Sequence, residues 1–145
     1  MRLGLPCTLV AVACITLNLA PAARASVGPD LQLAVTPDTP VGAGDTVSLN
    51  LSDGTFFDLA LLLGGQTLGS TPFGELTLDL VPELFLFLGF FPSDGTIAFD
   101  AQLPSNLPPE LSGITINLQG VSLGFDFFTF TLVWRKSNLD SLTFE

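Results

Sequence analysis

Gly113-Ile114-Thr115-Ile116-Asn117-Leu118-Gln119 sets Ile114, Ile116 and Leu118 against Thr115, Asn117 and Gln119 at a period of two. Successive side chains of an extended chain point to opposite faces, so one face of this segment meets a core and the other is polar. The same period recurs on both sides of it. Leu31, Leu33 and Val35 alternate, as do Val47, Leu49 and Leu51, and Leu59, Leu61 and Leu63. Leu76, Leu78 and Leu80 follow, then Ile97, Phe99 and Ala101. The last run sets Phe128, Phe130, Leu132 and Trp134 against Phe127, Thr129, Thr131 and Val133.

Turn formers separate the runs: Pro37-Asp38-Thr39-Pro40, Gly42 to Asp45, Asp53-Gly54, Gly64-Gly65, Pro72 to Gly74, Pro92 to Gly95 and Pro104 to Gly113. No stretch carries a sustained helical period with caps at both ends. About eight or nine short strands, with a turn every ten to fifteen residues or so, predict an all-β chain. The expected architecture is a single antiparallel β-sandwich, with a closed barrel as the other solution. Ser52-Asp53-Gly54-Thr55 recurs as Ser93-Asp94-Gly95-Thr96. Asp-Gly favours tight turns with positive φ, and the flanks do not align further, so these read as two separate turns.

Two segments depart from the alternation. Leu84-Phe85-Leu86-Phe87-Leu88-Gly89-Phe90-Phe91 is apolar on both faces. Such a run predicts a central strand buried on both sides. Its alternative is an exposed patch for a partner or for self-association. Leu103 to Ser112, with Pro104, Pro108 and Pro109, reads as an ordered loop crossing one end of the fold. An outer-membrane barrel is disfavoured, because there is no Tyr and one Trp to build aromatic belts.

Residues 1–25 read as a signal peptide. Arg2 precedes an apolar run of about 17 residues, Leu3 to Leu19, and small residues at Ala23 and Ala25 place the cut between Ala25 and Ser26. Pro6 and Asn18 interrupt the run, which argues against a membrane anchor. Ala11-Val12-Ala13-Cys14 offers a second possibility, lipid anchoring at Cys14. Cleavage leaves one domain, residues 26–145, and a secreted or periplasmic location. Both cysteines, the only Met and two of four basic residues fall in the leader. The remaining 14 acids then face only Arg135 and Lys136, a net charge of −12. That surface repels nucleic acid and anionic membrane, and no transmembrane segment remains. A cysteine-free exported domain relies on its core alone, which suits a bacterial envelope.

Composition narrows the chemistry further. Without His, and without Cys after the cut, Ser–His–Asp and Cys–His sites are excluded. Lys136 has Val133 three residues before it, not Ser, so a Ser–Lys dyad is unsupported. Carboxylate pairs survive elimination but lack the Trp and Tyr platforms of sugar clefts. Only hard cations remain as metals. Asp53, Asp58 and Asp94 are the weak calcium candidates, with ordinary turn chemistry as the alternative. Asn50-Leu51-Ser52 matches a glycosylation acceptor, and no phosphate loop is present.

From Phe57 to about Thr143 the chain resembles a small secreted β-sandwich-like module of planctomycete and myxobacterial proteins. The shared elements are Leu63-Gly64, Pro72-Phe73-Gly74, Ser93-Asp94-Gly95, Leu103-Pro104 and Gly113 to Gln119. The resemblance implies export and a β-sandwich fold and transfers no functional residue. The expected function is therefore an exported, non-catalytic structural or interaction module without a cofactor, meeting an envelope partner or itself through Leu84–Phe91. The alternative is a carbohydrate- or calcium-binding sandwich.

Overall fold

The structure, a computed structural model, describes residues 31–145. The expected leader, its cleavage site at Ala25 and Ser26, and Cys14 lie outside the described residues. The chain is all-β apart from one short 3-10 turn, Pro109–Leu111. Its strands are β1 (Gln32–Thr36), β2 (Thr46–Ser52), β3 (Leu59–Gly65), β4 (Leu68–Phe73) and β5 (Leu76–Leu80). They continue with β6 (Leu84–Phe90), β7 (Ile97–Gln102), β8 (Thr115–Asp126) and β9 (Thr131–Thr143).

Strand pairing is antiparallel throughout and builds three open sheets, ordered β1-β2-β7, β6-β3-β8-β9 and β4-β5. Alternation along β3 and β8 divides the apolar residues of the four-stranded sheet between its two faces. Ala60, Leu62 and Leu118 join Leu31, Leu33, Val35, Val47 and Leu51 in one buried cluster against the three-stranded sheet. Leu63 and Val121 join Leu78 and Leu80 in a second cluster beneath the β4–β5 hairpin. The hairpin is a third layer that the sequence pattern does not announce. As expected, the Pro-rich loop packs on one end, with Leu103, Leu107 and Leu111 against the first cluster.

A bulge on β9 governs how the layers join. Val121 pairs with Lys136, but Gln119 pairs with Leu139, so β9 carries one extra residue there. Gly120 donates its N–H to Ser137 Oγ (2.8 Å), and that hydroxyl donates to the Asn138 carbonyl (2.6 Å). A Cβ on residue 120 would lie 2.4 Å from Leu51 Cδ1, so the close approach needs glycine. Crossing the bulge exchanges the faces of β9. Lys136 faces the hairpin, where Nζ donates to Asp79 Oδ2 (2.9 Å) and the Thr77 carbonyl (2.7 Å). Asn138 and Asp140 face β1.

There they complete the outer edge of β1. Leu33 donates its N–H to Asn138 Oδ1 (2.8 Å) and accepts from Asn138 Nδ2 (2.9 Å). Val35 donates to Asp140 Oδ2 (2.8 Å). Leu31 and Val41 make parallel bridges to Ser137 and Phe144. Side chains thus stand in for a missing strand, and this edge has no ladder left to offer. On the opposite face Gln119, fully buried, donates to Asp79 Oδ2 (2.7 Å) and to the Ser137 carbonyl (3.0 Å). Its Oε1 accepts from the Asp79 N–H (3.0 Å), so the buried amide is well used.

Replacing Asn138 by Ala leaves the Leu33 N–H and carbonyl without partners at a partly buried edge. The Asn138→Ala variant should lose about 1–3 kcal/mol, read as a lower denaturant midpoint. A midpoint equal to wild type would show that β1 is held by packing alone.

Candidate interaction surface

Leu84–Phe91 is not a central strand. β6 pairs with β3 on one side only and forms an edge of the four-stranded sheet. Leu84, Phe85, Phe87 and Phe90 are each more than half exposed, while Phe91 is buried in the first cluster and Leu88 packs against it. The β4–β5 hairpin has too few strands to cover the four-stranded sheet beneath it, and β6 lies at the margin. A second bulge shapes this strand. Leu61 pairs with Phe87 and Ala60 with Gly89, so Leu88 is the extra residue and Gly89 takes φ +115°. Phe85, Phe87 and Phe90 consequently share one face, although Phe87 and Phe90 are three residues apart.

These rings belong to a larger aromatic end. Phe85 stacks on Phe73 of the hairpin (centroids 6.2 Å), and Phe90 contacts Phe87 (6.0 Å) and Phe57 (5.8 Å). Phe57 meets Phe56 edge-on at 5.1 Å. β8 and β9 extend past the rest of the sheet. The last β3–β8 pair is Leu59 with Leu123, whereas β8–β9 pairing continues to Asp126 with Thr131. Phe127 to Phe130, expected to be strand, are instead the turn of this hairpin. Asp126 Oδ1 accepts from the N–H groups of Phe128 (2.8 Å) and Thr129 (3.3 Å) and so closes it. Phe127, Phe128 and Phe130 are 75%, 98% and 74% exposed. Phe57 and Phe130 hold φ of +72° and +54°, a region that costs a bulky residue about 1–2 kcal/mol.

A cavity of about 210 Å³ lies under this end, lined by Thr55, Asp58, Gly124, Phe125, Asp126, Val133 and Arg135. Asp58 is nearly buried, with Oδ2 4.0 Å from Arg135 Nη1, and the same nitrogen donates to Thr55 Oγ1. A Cβ at position 124 would sit 2.2 Å from Asp58 Oδ1, so Gly124 makes room for the carboxyl. Burial pushes the Asp58 carboxyl above the ordinary 3.8, and Arg135 partly opposes this. Arg135 and Lys136, adjacent on β9, point to opposite faces and each meets one acid.

The three calcium candidates are not gathered around one point. Gly54 donates its N–H to the Gly95 carbonyl (3.0 Å), so the turns bearing Asp53 and Asp94 sit side by side. Asp94 spends Oδ1 on the Thr96 N–H (3.1 Å), and Asp58 faces Arg135 instead. Among the described residues no three acidic side chains form a metal-holding group. Alternation places the hairpin-tip residues in a strand and gives no sign that Gln119 and Ser137 are structural polar groups. Asp126 just before Phe127-Phe128 was the one local sign of a turn.

Asp58 and Asp79 bend the pH dependence in opposite directions. A raised folded pKa means the unfolded chain releases its proton first, so Asp58 lowers stability as pH climbs from 3.8 through its folded value. The Lys136 hydrogen bond lowers the Asp79 carboxyl, burial partly opposing and Gln119 assisting. Asp79 therefore adds stability above 3.8 that disappears as pH falls through its folded value. Denaturant midpoints from about pH 3 to 7 should rise more steeply in Asp58→Asn than in wild type, and less steeply in Asp79→Asn. Parallel curves for all three proteins would contradict both assignments.

No protein-family model matches the chain, and no curated protein matches it. Among solved structures it is similar to the sporulation control protein Spo0M from Bacillus subtilis, with a TM-score of 0.42 and 12% identity. That similarity covers 82% of this chain and 50% of Spo0M, so the chain spans about half the length of that neighbour.

Proposed function

We propose that this protein is an exported, non-catalytic assembly module that associates with a second copy of itself through β6. The observation that carries the reading is the contrast between two of the edge strands, β1 and β6. β1 is sealed by Asn138 and Asp140, whereas β6 is left open with its phenylalanines exposed. A long, uncharged, apolar edge strand is a template for pairing unless it is blocked, and residues 84–91 contain no charge and no Pro. Two β6 strands meeting antiparallel about a two-fold axis would satisfy both edges and merge the two aromatic faces.

Area supports a stable contact. Phe56, Phe57, Leu84, Phe85, Leu86, Phe87 and Phe90 are 39–69% exposed. With large side chains covering about 150–250 Å² each, they offer about 700 Å² per copy, or about 1,400 Å² in a dimer. That lies in the standard range for specific interfaces. The expected export of the chain, its lack of His, and the resemblance to exported modules favour a role in surfaces over one in catalysis.

Residues 26–145 contain every described strand and both apolar clusters, so they carry the whole fold. Sedimentation of this chain should give a monomer–dimer equilibrium. Phe87→Lys, at an exposed site, should shift it to monomer while changing stability by no more than about 0.5 kcal/mol. A wild-type chain that stays monomeric at every concentration, or a Phe87→Lys dimer, would refute the pairing.

A further inference from the structure

The β8–β9 hairpin tip is a different kind of surface from β6. It is convex, projects beyond the last β3–β8 pair, and carries Phe127, Phe128 and Phe130 with almost nothing packed over them. A flat protein face could cover only one side of such a protrusion. From its geometry and chemistry we infer that the tip inserts its phenylalanines into the interfacial region of a zwitterionic lipid bilayer.

Insertion into lipid is limited by backbone and hydroxyl groups that lose water without gaining a partner. Here two N–H groups and two hydroxyls of the tip have partners within the tip itself. Asp126 Oδ1 takes the N–H groups of Phe128 and Thr129, and the Thr129 and Thr131 hydroxyls bond each other at 2.7 Å. No charged side chain occurs from Phe127 through Trp134. Two of the three rings, those of Phe127 and Phe130, are also placed against a neighbouring ring before any contact. Phe125 touches Phe127 at 5.0 Å and Phe130 at 6.3 Å, both nearly edge-on. Little ordering entropy is then left to lose on binding. The strained left-handed φ of Phe130, which glycine would relieve, is kept by a residue whose ring faces outward.

Charge selects the lipid. Residues 26–145 carry 14 acids against two bases, and both bases are engaged with Asp58 and Asp79. An anionic bilayer repels such a body, and a zwitterionic one does not. Attraction is therefore apolar and insensitive to salt. This inference is independent of β6 pairing, because the tip and the β6 edge are separate strands' work.

Flotation of residues 26–145 with phosphatidylcholine vesicles tests it. Wild type should float with the vesicles equally at low and high salt, and less with phosphatidylglycerol vesicles. Phe128→Ser and Phe127→Ser should each weaken partitioning about tenfold or more, since a fully buried Phe is worth at least one decade. Leu68→Ser, at an exposed position on β4 outside both the tip and β6, should float like wild type. Phe128→Trp, at an almost wholly exposed position, should show blue-shifted emission on adding phosphatidylcholine vesicles. Three results would overturn the inference: no flotation of wild type, equal flotation of Phe128→Ser, or loss of flotation in Leu68→Ser. Binding confined to anionic vesicles and abolished by salt would overturn it as well, as would capture by a protein socket with no affinity for lipid.

Discussion

One extra residue in β9 holds the layers in their places. Before the bulge, Trp134 and Lys136 serve the β4–β5 hairpin; after it, Asn138 and Asp140 serve β1. A strand with unbroken alternation would put residues 134, 136, 138 and 140 on one face and leave either the hairpin or the β1 edge without its polar partners. Ser137 makes the irregularity affordable by filling the ladder position opposite Gly120. The buried Gln119 then ties the same region to Asp79 across the second interface. Three layers of a small acidic chain are thus joined by one strand and its side chains, without a cysteine in the described residues.

The same economy explains the asymmetry of the molecule. The polar groups available to β9 close the β1 edge, and its two cations each neutralise one acid on opposite faces. Nothing comparable reaches β6 or the β8–β9 tip. Most of the exposed phenylalanines are consequently found at the β8–β9 tip and along β6. A domain with this distribution of exposed phenylalanines is oriented.

Much of this was legible in the chain. Period-two alternation at Leu31–Val35, Val47–Leu51, Leu59–Leu63, Leu76–Leu80 and Ile114–Leu118 gives the strands, but it misses that β3 and β8 are covered on both faces, where Ala60, Leu62 and Gln119 are buried. β4 escaped because Leu68-Gly69-Ser70-Thr71-Pro72-Phe73 alternates weakly and ends in turn formers. The full length of β8 and β9 escaped because Gly120 and the bulge interrupt the pattern where the strands continue. Leu84–Phe91 is the instructive case. A strand apolar on both faces looks the same whether neighbours cover it or nothing does, and coverage is a property of strand order, which alternation does not encode. Phe127 to Phe130 misled for a related reason: phenylalanine has strand propensity, and the turn was set by one carboxylate at Asp126.

The β1 edge is sealed by side chains of β9, whereas the β6 edge is open and, in the proposed function, pairs with a second copy. Amide hydrogen exchange followed against protein concentration tests it most directly. The Leu33 and Val35 amides should be protected at every concentration, while the outward-pointing amides of β6 exchange freely in dilute solution and gain protection as concentration rises. Protection of β6 that is already complete in dilute solution, free exchange of β6 at all concentrations, or free exchange of Leu33 would each contradict the account.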